Sequence, residues 1–195
     1  MKAYYHARAR EYDDWWLGHN LFADKHRPGW EEERADLERR IQGLPPKRTL
    51  DVACGTGFMT RRLHGEVTGL DQSDAMLDVA RGQVPAATFV QGDALDLPFD
   101  DGEFERVFSS YFYCHLEEDD RTRFLAEVRR VASELVIVGS RLQPDEKAER
   151  WDERVLNDGT RWRVFKRVFD PEALANELDG RVLRQSHYFV MACSP

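Results

Sequence analysis

The sequence predicts an α/β fold, a parallel sheet wound with helices on both of its faces. Short apolar runs of strand length alternate with stretches of helical spacing along most of the 195 residues. One of those runs, Thr49-Leu50-Asp51-Val52, breaks into Cys54-Gly55-Thr56-Gly57 and then resumes as a helical stretch. Two later runs end in aspartates, Asp71 and Asp93, which a parallel sheet would bring to the same rim as the glycine turn.

Residues 1–46 are expected to form a helical cap before the sheet begins. Its first helix carries an aromatic stripe of Tyr5, Tyr12 and Trp16, with Tyr4 and Trp15 nearby; ordinary core packing against the sheet edge and a lid over a ligand are both open. Trp30, Leu37, Ile41 and Leu44 then recur at helical spacing, and the helix they mark must stop before Pro45-Pro46. Strands are expected near 48–53, 66–70, 87–91, 104–109 and 134–139, and helices near 57–64, 73–82, 120–132 and 171–178. The stretch 141–169 is longer than a simple connection needs and is expected to cap the mouth of a site. Its part from 145 to 156 can be helical, whereas Asn157-Asp158-Gly159 is a strong turn signal before the strand-like residues 161–169, so a two-stranded flap is also expected. Arg150, Arg154, Arg161, Arg163 and Arg167 could bind an acidic ligand, but alternation with Trp162, Val164 and Phe165 favours a solvated strand face. Residues 181–193 form a closing hairpin.

Length suits one domain, 1–195, large enough to bury a substantial core. A formal net charge of −8 argues against a general nucleic-acid binder, whose domains carry a basic face. Three cysteines, Cys54, Cys114 and Cys193, are odd in number and widely spaced, which suggests neither a disulfide framework nor a metal site and fits a reducing cytoplasm. No apolar stretch reaches signal-peptide or membrane-span length, so a soluble cytoplasmic protein without membrane insertion is expected.

The glycine turn carries the chemistry. Lacking Cβ atoms, Gly55 and Gly57 let the backbone turn sharply and let a ligand touch the main chain, while a following helix would aim free N–H groups at the same place. Asp71 beside that turn can accept both hydroxyls of a ribose. Asp93, at the end of Phe89-Val90-Gln91-Gly92, adds a second short carboxylate. Either acid alone is most often a turn former or a helix cap; two of them around a glycine turn point to a nucleotide-type pocket.

In this order the segments 50–58, 67–77 and 89–110 resemble the class I S-adenosylmethionine-dependent methyltransferases, in particular the small-molecule branch with the ubiquinone and menaquinone C-methyltransferase-like proteins. The resemblance covers about residues 48 to 140. It implies a Rossmann-like doubly wound sheet, mostly parallel with one antiparallel strand near the C-terminus, and S-adenosylmethionine (SAM) as cofactor, with S-adenosylhomocysteine (SAH) as product and no metal. It further implies that Ala53, Cys54, Gly55 and Gly57 pass under the methionine part of the cofactor, that Asp71 holds the ribose, and that Asp93 with Ala94 approaches the adenine amino group. Gln72, Met76, Leu95 and Ser110 complete the cofactor wall. Family members often have glycine where this chain has Ala53, a small departure. Tyr12, and next Tyr5, is where a tyrosine of this branch commonly approaches the cofactor, its ring attracting the sulfonium.

Methyl transfer from a sulfonium needs positioning and water exclusion more than a catalytic triad. Where the acceptor must lose a proton, the base candidates after the fourth strand are His115, Tyr111 and Tyr113, with His115 first because histidine ordinarily titrates nearest neutral pH. A small-molecule acceptor is implied. Two other classes remain: a nicotinamide-dependent oxidoreductase, disfavoured because Thr60 stands where its third glycine would be, and a non-catalytic SAM-binding module.

Overall fold

The computed structural model describes residues 1–194, and strand and helix alternate much as the sequence predicts. The strands are β1 (Thr49–Val52), β2 (Val67–Asp71), β3 (Thr88–Gln91), β4 (Phe104–Ser110), β5 (Ala132–Ser140), the hairpin strands β6 (Glu149–Val155) and β7 (Arg161–Arg167), then β8 (Arg181–Gln185) and β9 (Phe189–Cys193). Seven of them form one sheet in the order β3-β2-β1-β4-β5-β9-β8. β1 to β5 are parallel, and β9 lies antiparallel to both β5 and β8. Central strands read as apolar runs because both faces are covered: Leu50, Val52, Val107, Phe108, Val136 and Ile137 are fully buried. Strand order reverses between β1 and β4, which opens a crevice beyond their C-terminal ends.

The helices are α1 (Lys2–Arg8), α2 (Asp14–Leu17), α3 (Trp30–Gln42), α4 (Asp74–Gln83), α5 (Glu118–Val131) and α6 (Pro171–Glu177). α3 opens on three glutamates, closes on Arg39 and Arg40, and buries Trp30, Leu37 and Ile41; its acids and bases suit the two ends of the helix dipole. Ser73 caps α4 by accepting from the Met76 N–H, and Asp170 caps α6 before Pro171. Among the described residues no helix is long and apolar enough to cross a membrane.

Two expected helices do not form. The stretch 57–64 holds a single tight turn, Thr60–Arg62, in place of a helix. The Thr60 hydroxyl donates to buried Asp51 at 2.6 Å, and Gly65, at φ +99°, is pressed against the Lys47 backbone so closely that no Cβ would fit. The stretch 145–156 is not helical either. Residues 149–155 pair in full register with 161–167 across a turn at Gly159, whose φ of +85° explains the glycine, so the flap is the arrangement that forms.

Candidate functional site

A cavity of about 270 Å³ opens at the C-terminal ends of β1, β2 and β4. Its wall brings together Tyr12, Ala53, Gly55, Asp71, Gln72, Met76, Asp93, Ala94, Leu95 and Ser110, together with Tyr111 and His115. The turn after β1 is left-handed at both Ala53 (φ +57°) and Gly55 (φ +56°), which glycine adopts freely and alanine does not. A Cβ on Gly55 would point toward Tyr12, 3.7 Å from its ring, and toward the Met76 sulfur at 4.0 Å.

Cys54 and Gly57 stand behind this wall, not in it. The Cys54 N–H donates to the Leu70 carbonyl and its carbonyl accepts from Gly57, while its sulfur packs at Gly69. Gly57, at φ +80°, lies where a Cβ would meet Val84 at 3.0 Å and Ala80 at 3.5 Å, so its smallness serves close packing on α4. The helix expected after the turn does not form, and the Gly55 N–H is taken up by Asp71.

That N–H donates to Asp71. One carboxylate oxygen accepts from Gly55 at 3.0 Å and the other from the Ser73 N–H at 2.9 Å, so Asp71 clamps the glycine turn to the start of α4. Burial raises its pKa and these backbone donors oppose the rise. Asp93 is exposed at the opposite rim and accepts from the Leu95 N–H at 2.9 Å. Deeper in β1, burial pushes the Asp51 carboxyl up to about 7, against the Thr60 hydrogen bond.

Tyr111 is the strained residue of the site, with φ +59°. Its ring is buried, its hydroxyl lies beside Ser140 without a hydrogen bond of good geometry, and burial raises the phenol well above its ordinary range. It can donate a proton-bearing hydroxyl and is a poor base. The Ser110 hydroxyl is also buried without a partner. Tyr113 lines neither cavity; its hydroxyl donates to Glu177, which also takes a paired contact from Arg167. His115 lines both cavities, and its Nδ1 sits 2.6 Å from the Phe165 carbonyl, which can only accept, so Nδ1 carries a proton. Beside it, burial pushes the Cys114 thiol up, but His115 and Lys166 outweigh this and bring it down to about 6.

A larger cavity of about 540 Å³ adjoins the first, and the two share Tyr5, Tyr12, Tyr111 and His115 as a common wall. Its other sides come from residues 4–30, the segment after β5, and the flap. Sequence reasoning did not find this chamber's cations, Arg8, Lys25, Arg27, Arg141 and Lys166. Lys166 alone gave a signal, a lysine on the inward parity of β7 between buried Val164 and Val168. Of the five flagged arginines, Arg150 and Arg154 reach this chamber but are held by Asp152, Arg161 and Arg163 are exposed, and Arg167 is bound to Glu177.

The aromatic stripe divides between the two expected roles. Trp16 is core, stacked on Phe58 at 5.1 Å; Tyr4 is buried but edges the larger cavity, as Trp15 does, and Tyr5 and Tyr12 face both cavities. The segment is tied down by Asp13, which accepts from the Thr56 hydroxyl and from Gln83, and by Asn157 at the flap tip, which donates to Glu11 and Asp14.

A family model described as a methyltransferase domain matches residues 49–134. The chain is 40% identical over 107 residues to a demethylmenaquinone methyltransferase of Thermotoga maritima, covering 52% of this chain and 44% of that one. It is 38% identical over 152 residues to a phthiotriol/phenolphthiotriol dimycocerosates methyltransferase of Mycobacterium leprae, covering 72% and 51%. The chain thus spans about half the length of the curated relatives it matches. Among solved structures, a DhpI–SAM–HEP complex superimposes with a TM-score of 0.77 at 27% identity, covering 99% of this chain and 95% of that one. A DhpI–SAH complex gives 0.72 at 28%, covering 98% and 92%.

Proposed function

The chain belongs to the class I S-adenosylmethionine-dependent methyltransferases, and from that premise we propose that it transfers a methyl group from SAM to a small-molecule acceptor. The observation that carries the reading is the shared wall: a cavity with the glycine turn and Asp71 on one side, a larger chamber on the other, and Tyr5, Tyr12, Tyr111 and His115 between them. The residues fit SAM. Gly55 leaves clear the space a side chain would fill, Asp71 offers a buried carboxylate for the ribose hydroxyls, and Asp93 stands where an adenine amino group could donate. DhpI, which matches nearly the full chain, is described with SAM and with SAH.

When bound, SAM supplies a methyl carbon that takes the acceptor's electron pair while the electrons of the breaking C–S bond stay on sulfur, leaving SAH. The protein's share is placement and a dry site. Tyr12 and Tyr5 line the junction of the cavities, where a sulfonium over a ring face would gain from the ring quadrupole. The Nε2 of His115 takes the proton of an acceptor that must lose one, and the Phe165 carbonyl holds the ring in the tautomer that makes this available. The Tyr111 hydroxyl orients the acceptor as a donor. The oxidoreductase alternative finds no support among the relatives; the non-catalytic one is decided by turnover.

Calorimetry with SAM, SAH and NAD, followed by transfer of isotope-labelled methyl into a panel of small acceptors, tests the proposal. Binding of SAM and SAH without NAD is expected, and preference for NAD would refute it. His115→Gln should lower kcat while SAH affinity holds; an unchanged kcat would take His115 out of the reaction.

A further inference from the structure

We infer that the larger cavity takes an acceptor bearing an anionic oxygen group, a carboxylate or a phosphoryl group, held by cations that the fold leaves without carboxylate partners. The inference rests on the methyl-transfer reading for the word acceptor, and on the cavity alone for the word anionic. The protein as a whole is acidic, at −8, yet this chamber is lined by seven arginine and lysine side chains against four carboxylates. The carboxylates are committed elsewhere: Asp152 to Arg150 and Arg154, Glu146 to Arg150, Glu153 to Arg161, and Glu11 to the Asn157 N–H at the flap tip.

Five cations remain. Arg8 donates to the Tyr4 hydroxyl, Arg27 to the Trp15 carbonyl, Arg141 to the Ser186 carbonyl, Lys25 lies over the Phe22 ring, and Lys166 reaches the Cys114 sulfur at 3.5 Å. None makes an ion pair with a carboxylate among the described residues. The Cys114 thiolate can offset Lys166, which leaves four. Nε of Arg141 is buried with no hydrogen-bond partner at all, an orphaned donor whose loss of water is otherwise uncompensated. The groups also feel one another: the charges of Arg154, Arg27 and Arg8 reinforce burial in lowering the pKa of Lys25. Cations from distant parts of the chain converging without counter-charges are a cost to folding that an anion in the chamber removes.

The placement suits the chemistry. Lys166 stands 4.9 Å from the centre of the Tyr111 ring and Arg8 lies 5.0 Å from that of Tyr12, both part of the wall the chambers share. Arg27, over Trp30, belongs to the chamber beyond that wall. An anionic group drawn to these cations leaves the rest of a small molecule at Tyr111 and His115.

Titration of the full chain with inorganic phosphate and with malonate, with and without SAH, and with glycerol as the uncharged comparator, tests this directly. Saturable binding of at least one anion and none of glycerol is expected, the better anion separating phosphoryl from carboxylate recognition. Arg141→Gln and Lys25→Gln should each weaken that binding several-fold while SAH affinity is kept; exposed Lys25 carries the test if the Arg141 variant does not fold. No saturable anion binding to the folded protein, or unchanged affinity in folded variants, overturns the inference. Anion binding without SAH binding would instead sink the methyl-transfer reading and leave the anion site standing.

Discussion

Asp71→Asn separates the two duties that the structure gives to one carboxylate. Both oxygens of Asp71 accept backbone N–H groups, from Gly55 at 3.0 Å and Ser73 at 2.9 Å. An asparagine keeps the shape but has a single acceptor oxygen, so one of those donors must face an NH2 group. An unmade hydrogen bond at a buried site costs about 1–3 kcal/mol of stability. The second duty is the ribose. Losing a charge-assisted bond to its hydroxyls should cost a further 1.5–3 kcal/mol or so of SAH binding, which is about ten- to a hundredfold in Kd. Urea unfolding reads the first quantity and calorimetry on the folded variant reads the second. Unchanged stability would show that the clamp on the glycine turn contributes nothing. Unchanged SAH affinity in a folded variant would remove Asp71 from the cofactor site.

The pH dependence of stability should follow Asp51, whose carboxyl is held at about 7 against an ordinary 3.8. The folded state favours the protonated form, so stability present below pH 3.8 is lost as pH rises through 7, about 4 kcal/mol in all; Asp51→Asn, still able to accept from Thr60, should flatten that slope, and urea curves with the same midpoint at pH 5 and 7 would refute it. Ala53→Gly should stabilise the chain by up to about 1 kcal/mol by relieving a left-handed alanine, and a lower melting temperature would count against the strain. Added SAH should raise hydrogen-exchange protection over residues 5–12, where Tyr5 and Tyr12 meet the cavities, more than at buried Trp16; exchange unaltered by ligand would make the whole segment ordinary core.

Much of the sheet was legible because its strands are apolar runs stopped by small or acidic residues, and Asp71 and Asp93 mark two of those stops. The helix expected over 57–64 was misread because Phe58, Met59 and Leu63 look like a helical face, while the forces that decide the segment, the Thr60 bond to Asp51 and the contact of Gly65 with Lys47, are tertiary. β6 was legible only as one of two alternatives. Its cavity-facing side is Arg150, Asp152 and Arg154, and on the other side Trp151 and Val155 stand four residues apart among glutamates, a spacing that suits a helix as well as a strand. Within the candidate site, the glycine turn and the two aspartates stand out in the sequence itself, whereas the other cofactor-facing positions and His115 came from the family resemblance. The unpaired cations could not, since they come from α1, the segment before α3, the end of β5 and β7, and only the fold makes them neighbours.

The sheet order has a consequence for how the chain is made. β9, the last strand in sequence, is not an edge strand: it sits between β5 and β8 and pairs with both. Until residues 189–193 leave the ribosome, β5 presents a bare row of backbone donors and acceptors, and β8 has no neighbour to join. A growing chain therefore carries an open, apolar edge from the completion of β5 until β9 follows, the kind of edge on which stray strands add. Pairing of β9 removes that edge, buries Phe189, Val190, Met191 and Ala192, and joins β8 to the five parallel strands.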